Sequence, residues 1–304
     1  MKKKTILTAT LAGVAACALT NNYQKWKRDE LVRSESQSQL VTTPLGPVEY
    51  ALQGEGPAVL MIHGSPGGYD QGLGLAHLID GPDFTYIAPS RPGYLRTPLS
   101  AGVSPEAQAD LYAALLDALQ IEQVIVLGMS GGGASALQFV LRHPRRCRGL
   151  IMLCAVTQRY VEKEYYQQFS APLRLGKQLI NELVLFDPFI YGVQALGKLV
   201  NPGITADLFA SLSPAYLRKE GYRNDMRQFA AMTPYPLEQI NIPTFIAQGT
   251  ADTELPFTHA QLLASKVPHA QLIAVPGAGH VFFLTHQEQF MPALSDFLAT
   301  FHEM

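Results

Sequence analysis

One serine, one aspartate and one histidine each stand just past the end of a short apolar run, and together they could carry out acyl transfer. Ser130 lies in Gly128-Met-Ser-Gly-Gly132, between the β-forming run Val124 to Leu127 and a helix-like stretch from Gly133 to His143. A strand that turns sharply into a helix holds its serine in strained backbone geometry, and the residues on either side must lack bulk. Gly128 and Gly132 meet that demand. The pattern alone is weakly specific, and a Gly-rich helix start that binds an anion is the other reading. A serine hydroxyl attacks only when a base takes its proton, and the base needs an acid to fix its tautomer and balance its charge. The run Ile242 to Gln248 leads through Gly249 to Asp252, and Leu272 to Pro276 leads through Gly277-Ala-Gly to His280. In an open α/β sheet such groups gather outside the carboxyl ends of the strands, so Ser130, Asp252 and His280 are expected to converge. Asp187 is a rival acid but precedes Pro188 inside an apolar insert, and Glu254 is a nearer rival in the same loop as Asp252. His63 sits in a turn and is expected to brace it. His77, His143, His259, His269, His286 and His302 fall in segments that read as helix or surface loop.

Those three positions require a scaffold, and the chain supplies an alternation of strands and helices. Strands are predicted near 58–63, 84–89, 123–129, 148–155, 242–248 and 271–276, with an edge strand at 48–53 and a closing helix over 287–301. The helix after Ser104-Pro105-Glu106 has a good cap and a proline at its first position, then leucines at 111, 115, 116 and 119 facing a core. The result is an α/β fold with a doubly wound, mostly parallel sheet. Between 157 and 235 the alternation stops, and the chain reads as helical pieces broken at Pro172, Pro188, Pro202 and Pro214. The stretch Leu179 to Val200 is apolar with few charges, and Asp187-Pro188 should bend it. Its apolar face could pack on the main domain or meet a membrane.

With these motifs in place, the chain resembles the α/β-hydrolase superfamily, which uses the order Ser, Asp, His. Further motifs agree: His63-Gly-Ser-Pro66 after Ala58 to Ile62, Ser90-Arg-Pro-Gly-Tyr94 after Phe84 to Ala88, and Pro276-Gly-Ala-Gly-His280. The resemblance covers roughly 48–156 and 236–303. It implies a core of 46–156 and 236–304 with a helical cap over 157–235. It also implies an oxyanion hole from the backbone N–H groups of Ser65 and Gly131, with His63 and Gly64 as the supporting turn. Because main-chain groups would do that work, replacing the Ser65 side chain is expected to be mild. The implied activity is a serine hydrolase acting on small or medium carboxylic esters or lactones, with an apolar acyl or alkyl group under the cap. The turn His63 to Gly67 is also similar to that of proline iminopeptidases, although Ser65, Met129 and Gly131 depart from it. An aminopeptidase would need a cap acid for the substrate amine, for which Glu182 and Glu220 are candidates. A non-catalytic binding protein on the same scaffold is the alternative from another class.

Composition sets the remaining bounds. At 304 residues and a formal charge of −2, the chain has no basic surplus that would suggest nucleic acid as a partner. No Cys/His cluster has zinc spacing and no Gly-rich loop is followed by lysine, so neither metal nor cofactor is expected. Met1-Lys-Lys-Lys4 followed by the apolar Thr5 to Ala16 looks like a secretory signal, and Val14-Ala-Ala-Cys17 resembles a lipobox with Cys17 as the lipidated residue. Residues 1–20 are therefore expected to be a signal, lipoprotein signal or anchor that sends the chain out of the cell or onto its membrane. Residues 21–45, polar and rich in Ser and Gln, should be a flexible tether. Cys147 and Cys154 flank one predicted strand, which sets them about 23 Å apart at ~3.3 Å per residue, too far for a disulfide. Both read as buried strand residues.

Overall fold

The computed structural model describes residues 20–79, 84–200 and 211–301, and residues 197–200 by backbone alone. The apolar N-terminal run with Cys17, together with Pro202 and His302, lies outside the described residues. Eight strands form one sheet: β1 (Gln39–Thr43), β2 (Gly46–Gln53), β3 (Ala58–Ile62), β4 (Thr85–Pro89), β5 (Val124–Met129), β6 (Cys147–Leu153), β7 (Thr244–Gly249) and β8 (Ala270–Val275). Their order is β1-β2-β4-β3-β5-β6-β7-β8. The first two pairings are antiparallel and the other five parallel.

The central strands are continuous apolar runs because both of their faces are covered. Leu60, Ile62, Val124 and Val126 point to one face, where α3 (Pro105–Ala118), α4 (Gly133–Arg142) and α9 (Thr258–Lys266) lie. Val59, Met61, Ile125 and Leu127 point to the other, against α2 (Tyr69–Ile79) and α10 (Gln287–Ala299). Helix α3 starts as its cap predicts, with Ser104 Oγ accepting the Ala107 N–H at 3.3 Å, and Leu111, Leu115 and Leu116 are fully buried.

Residues 21–45 are not a tether. Residues 20–36 form helix α1, and β1 pairs with β2 over its whole length. Low average hydrophobicity hid a few side chains with distant partners. Trp26 and Tyr23 stack together and meet the Tyr191 ring at 5.4 and 5.6 Å, and the indole N–H of Trp26 donates to Gln194 at 2.7 Å. Glu30 accepts from the Ser213 hydroxyl, and Arg33 donates to the Ser213 carbonyl.

Between β6 and β7 lie α5 (Glu162–Tyr165), α6 (Ala171–Leu183), α7 (Asp187–Val200) and α8 (Lys219–Ala231). Pro172 and Pro188 fall in the first turns of α6 and α7 rather than breaking them, since a helix has no use for the N–H there. The chain turns just before Asp187-Pro188, over residues 184–186, by 101° between α6 and α7.

Because Leu115 is fully enclosed and the Ser104 cap makes a single exchangeable hydrogen bond, the two should differ in weight. Leu115→Ala is expected to lower unfolding free energy by about 2–5 kcal/mol and Ser104→Ala by about 1 kcal/mol, read from urea midpoints.

Candidate active site

Ser130 stands at the joint between β5 and α4 with φ of +47°, the left-handed region that β-carbon sterics disfavour. The turn closes at backbone distance from its surroundings. A Cβ on Gly128 would come within 2.7 Å of Ala136 Cβ, and one on Gly132 within 2.4 Å of the Ile62 carbonyl oxygen. The Val156 N–H donates to the Ser130 carbonyl at 2.9 Å and ties the turn to the chain leaving β6.

The structure brings Ser130, His280 and Asp252 together from three strand ends. His280 Nε2 is 3.0 Å from Ser130 Oγ, and its Nδ1 is 2.7 Å from Asp252 Oδ2. The other carboxylate oxygen, Oδ1, accepts the N–H groups of Glu254 and Leu255 at 2.8 and 3.0 Å, and the Gln248 amide donates to Oδ2 at 3.2 Å. Burial opposes the charge on Asp252, but His280 and those N–H donors outweigh it and hold the carboxyl below its usual pKa. Burial likewise opposes charge on His280, while the Cys154 sulfur and the Asp252 carboxylate beside it raise its pKa well above the usual 6.5. Cys154 is buried, as expected, yet it touches His280 from the end of β6 in a left-handed conformation of φ +39°, which no local motif announced.

The loop after β3 forms the other wall. His63 Nδ1–H donates to the Gly64 carbonyl at 2.7 Å, and its Nε2 accepts the Arg91 N–H at 2.9 Å. That pattern needs a neutral ring, and burial beside Arg91 lowers the pKa of His63 well below 6.5. The Ser65 side chain is not idle, contrary to expectation. Its hydroxyl donates to Asp225 of α8 and accepts from Arg91 at 2.8 Å. Arg91 also grips Asp225 through both terminal nitrogens, at 2.9 and 2.5 Å, and the Tyr94 hydroxyl donates to the same carboxylate. A carboxylate from the insert therefore ties down the loop that carries the Ser65 N–H. The Ser90 to Tyr94 motif holds Arg91 and Tyr94, one half of this network. Asp225, in a polar helix, offered no sequence signal.

Ser130, Gly131, Ser65 and His280 open into one cavity of about 120 Å³, roofed by Tyr160, Val184, Tyr222, Met226, Phe229 and Leu255. The acid that the cap presents there is Glu162, not Glu182 or Glu220. Asn181 donates to Glu162 at 2.6 Å; burial and nearby Glu254 raise its pKa. Glu254 is paired with Lys177 and accepts from the Tyr166 hydroxyl at 2.8 Å. Asp187, the other rival acid, is buried and accepts the Ala215 N–H at 2.7 Å. His259 is buried in α9 and accepts the Thr157 N–H at 3.0 Å.

A family profile described as alpha/beta hydrolase fold matches residues 57–287. The chain belongs to the α/β-hydrolase family. An uncharacterized hydrolase, YcgS of Bacillus subtilis, is 28% identical over 271 residues, covering 80% of this chain and 92% of its own length. A 2-hydroxymuconate semialdehyde hydrolase of Pseudomonas putida is 28% identical over 273 residues, covering 81% and 89%. Among solved structures, an alpha/beta hydrolase fold protein from Nakamurella multipartita superposes with a TM-score of 0.69 at 32% identity, covering 86% of this chain and 98% of that one.

Two outcomes are expected of this α/β hydrolase. An imidazole accepts a proton only when neutral, so hydrolysis that depends on His280 should show kcat/KM rising with pH, with a midpoint above the ordinary histidine value. Asp252→Asn should move that midpoint down, because the carboxylate no longer offsets burial, and lower the rate by about 10⁴-fold. Ser65→Ala should lower kcat by about tenfold with little change in KM. A loss under twofold would mean that Asp225 does not hold the loop through this hydroxyl.

Proposed function

We propose that this hydrolase cleaves small or medium carboxylic esters or lactones through an acyl-enzyme formed on Ser130. The observation that carries the reading is the unbroken hydrogen-bonded chain Ser130–His280–Asp252 opening into the cavity. His280 takes the Ser130 proton as Oγ attacks the carbonyl carbon, then returns it to the leaving alcohol. Water, deprotonated by the same imidazole, releases the acid and restores Ser130. Asp252 orients His280 and balances its transient charge. The Gly131 and Ser65 N–H groups would hold the oxyanion, each such donor being worth about 3 kcal/mol in the transition state. The cavity is small beside the ~300–1,000 Å³ of sites for drug-sized ligands, which favours short acyl groups against Val184, Met226 and Phe229.

A second reading, an aminopeptidase, draws its support from Glu162, an acid facing the nucleophile with an amide and hydroxyls around it. A substrate ammonium would suit that carboxylate. We also propose export or membrane attachment through the N-terminus, on the basic Lys2 to Lys4 and the apolar Thr5 to Ala16. Incorporation of labelled palmitate that disappears in Cys17→Ser would support the lipoprotein form, and equal labelling would remove it.

The deciding experiment compares p-nitrophenyl esters of increasing chain length with amino-acid anilides on the full chain and on Ser130→Ala, beside a fluorophosphonate probe. Ester turnover lost by about 10³-fold or more in Ser130→Ala supports the esterase. Faster anilide cleavage moves the aminopeptidase ahead. Neither turnover nor labelling leaves a binding protein.

A further inference from the structure

Helix α6 is built inside out. At 3.6 residues per turn its residues divide into two arcs, and an ordinary surface helix turns the apolar arc inward. Here Lys177 and Asn181 face the protein. Lys177 pairs with Glu254 and is only 10% exposed, and Asn181 lines the cavity and donates to Glu162. Leu173, Leu175, Leu179 and Ile180 point to solvent, with Leu175 63% and Leu179 59% exposed. Phe186, in the bend after α6, and Leu196, in the later turns of α7, are also exposed, at 52% and 62%. A side carrying four exposed aliphatic side chains, with Glu182 exposed at its edge, marks a contact surface.

We propose that this outer face of the cap, α6 with the adjoining start of α7, lies on a phospholipid bilayer, a conclusion independent of the reaction class. The residues ahead of α1 argue for lipid over another occupant. Nineteen residues precede α1, and they include the apolar run Thr5 to Ala16 behind three lysines, which suits an anionic leaflet. Helix α1 is fastened to α7 through Tyr23, Trp26, Tyr191 and Gln194. Whatever surface takes up the N-terminal run is thus held beside the cap. Among the described residues no single helix is long and apolar enough to span a membrane, and α6 and α7 meet at 101°. The geometry therefore suits a face lying in the interface, where apolar side chains enter the headgroup boundary and polar ones face away.

The test uses the full chain and vesicles of phosphatidylethanolamine with phosphatidylglycerol. In a chain carrying Trp26→Phe and Leu179→Trp, emission then comes from position 179 alone. Lipids brominated along their acyl chains should quench it. The triple variant Leu175→Ser, Leu179→Ser, Ile180→Ser should keep its urea midpoint but float with vesicles about tenfold less. Three results would overturn the proposal. Unquenched emission with flotation undiminished in the triple variant would mean that the N-terminus alone attaches. Emission already blue-shifted without vesicles in a dimer, by sedimentation velocity, would assign the face to a second copy. The same shift in a monomer would assign it to the chain's own first residues.

Discussion

The left-handed turn at Ser130 is the constraint around which the rest is arranged. A non-glycine residue at φ +47° stays there only when its neighbours leave no alternative. Strand β5 is fully buried, α4 is buried from Gly133 to Val140, the glycines on either side of the turn have no room for a Cβ, and the Val156 N–H bonds to the Ser130 carbonyl. The strain lifts the hydroxyl clear of the sheet and toward the strand ends where the acid and the histidine arrive. The parallel order of β5, β6, β7 and β8 makes those ends neighbours. A hydroxyl more than a hundred residues earlier in the chain then meets the carboxylate and the imidazole without any of them lying on a long flexible loop.

The insert is fastened to this core by buried charge. Asp225 is shared among Arg91, Tyr94 and Ser65, and fully buried Arg218 forks onto Asp70 at the start of α2 at 3.0 and 2.7 Å. Ion pairs of this kind add little net stability over apolar packing, but losing one partner is costly because the other charge stays buried. Their value is in position. Each attaches a cap helix to a particular point beside the turn after β3, so the roof of the cavity and the loop carrying the Ser65 N–H keep one spacing. Against that rigid inner side, the outer side of α6 is apolar and unmatched. The two faces of a single helix thus serve different needs, one polar toward the cavity and one apolar toward the surroundings.

The sheet was legible because period and length carry it: apolar runs of five or six residues, separated by helical spacing, have one compact arrangement. Ser130, Asp252 and His280 could be read from chain order and strand ends for the same reason. Residues 21–45 were misread because average polarity conceals a few well-placed aromatics, and the partners of Trp26 outside its own helix are 165 or more positions away. Glu162 and Asp225 were missed because each matters through side chains brought from other elements. Single-sequence patterns hold no record of such neighbours.

The sequence by itself determined the α/β alternation, the glycine-flanked turn and the three residues that meet beside it, since these follow from local sterics and hydrophobic period. Only the tertiary structure decided which cap acid faces the nucleophile, that the Ser65 hydroxyl is held by Asp225, and that α6 turns its leucines outward. Those are matters of which faces meet across long stretches of chain, and burial and charge pairing choose among them only once the fold has closed.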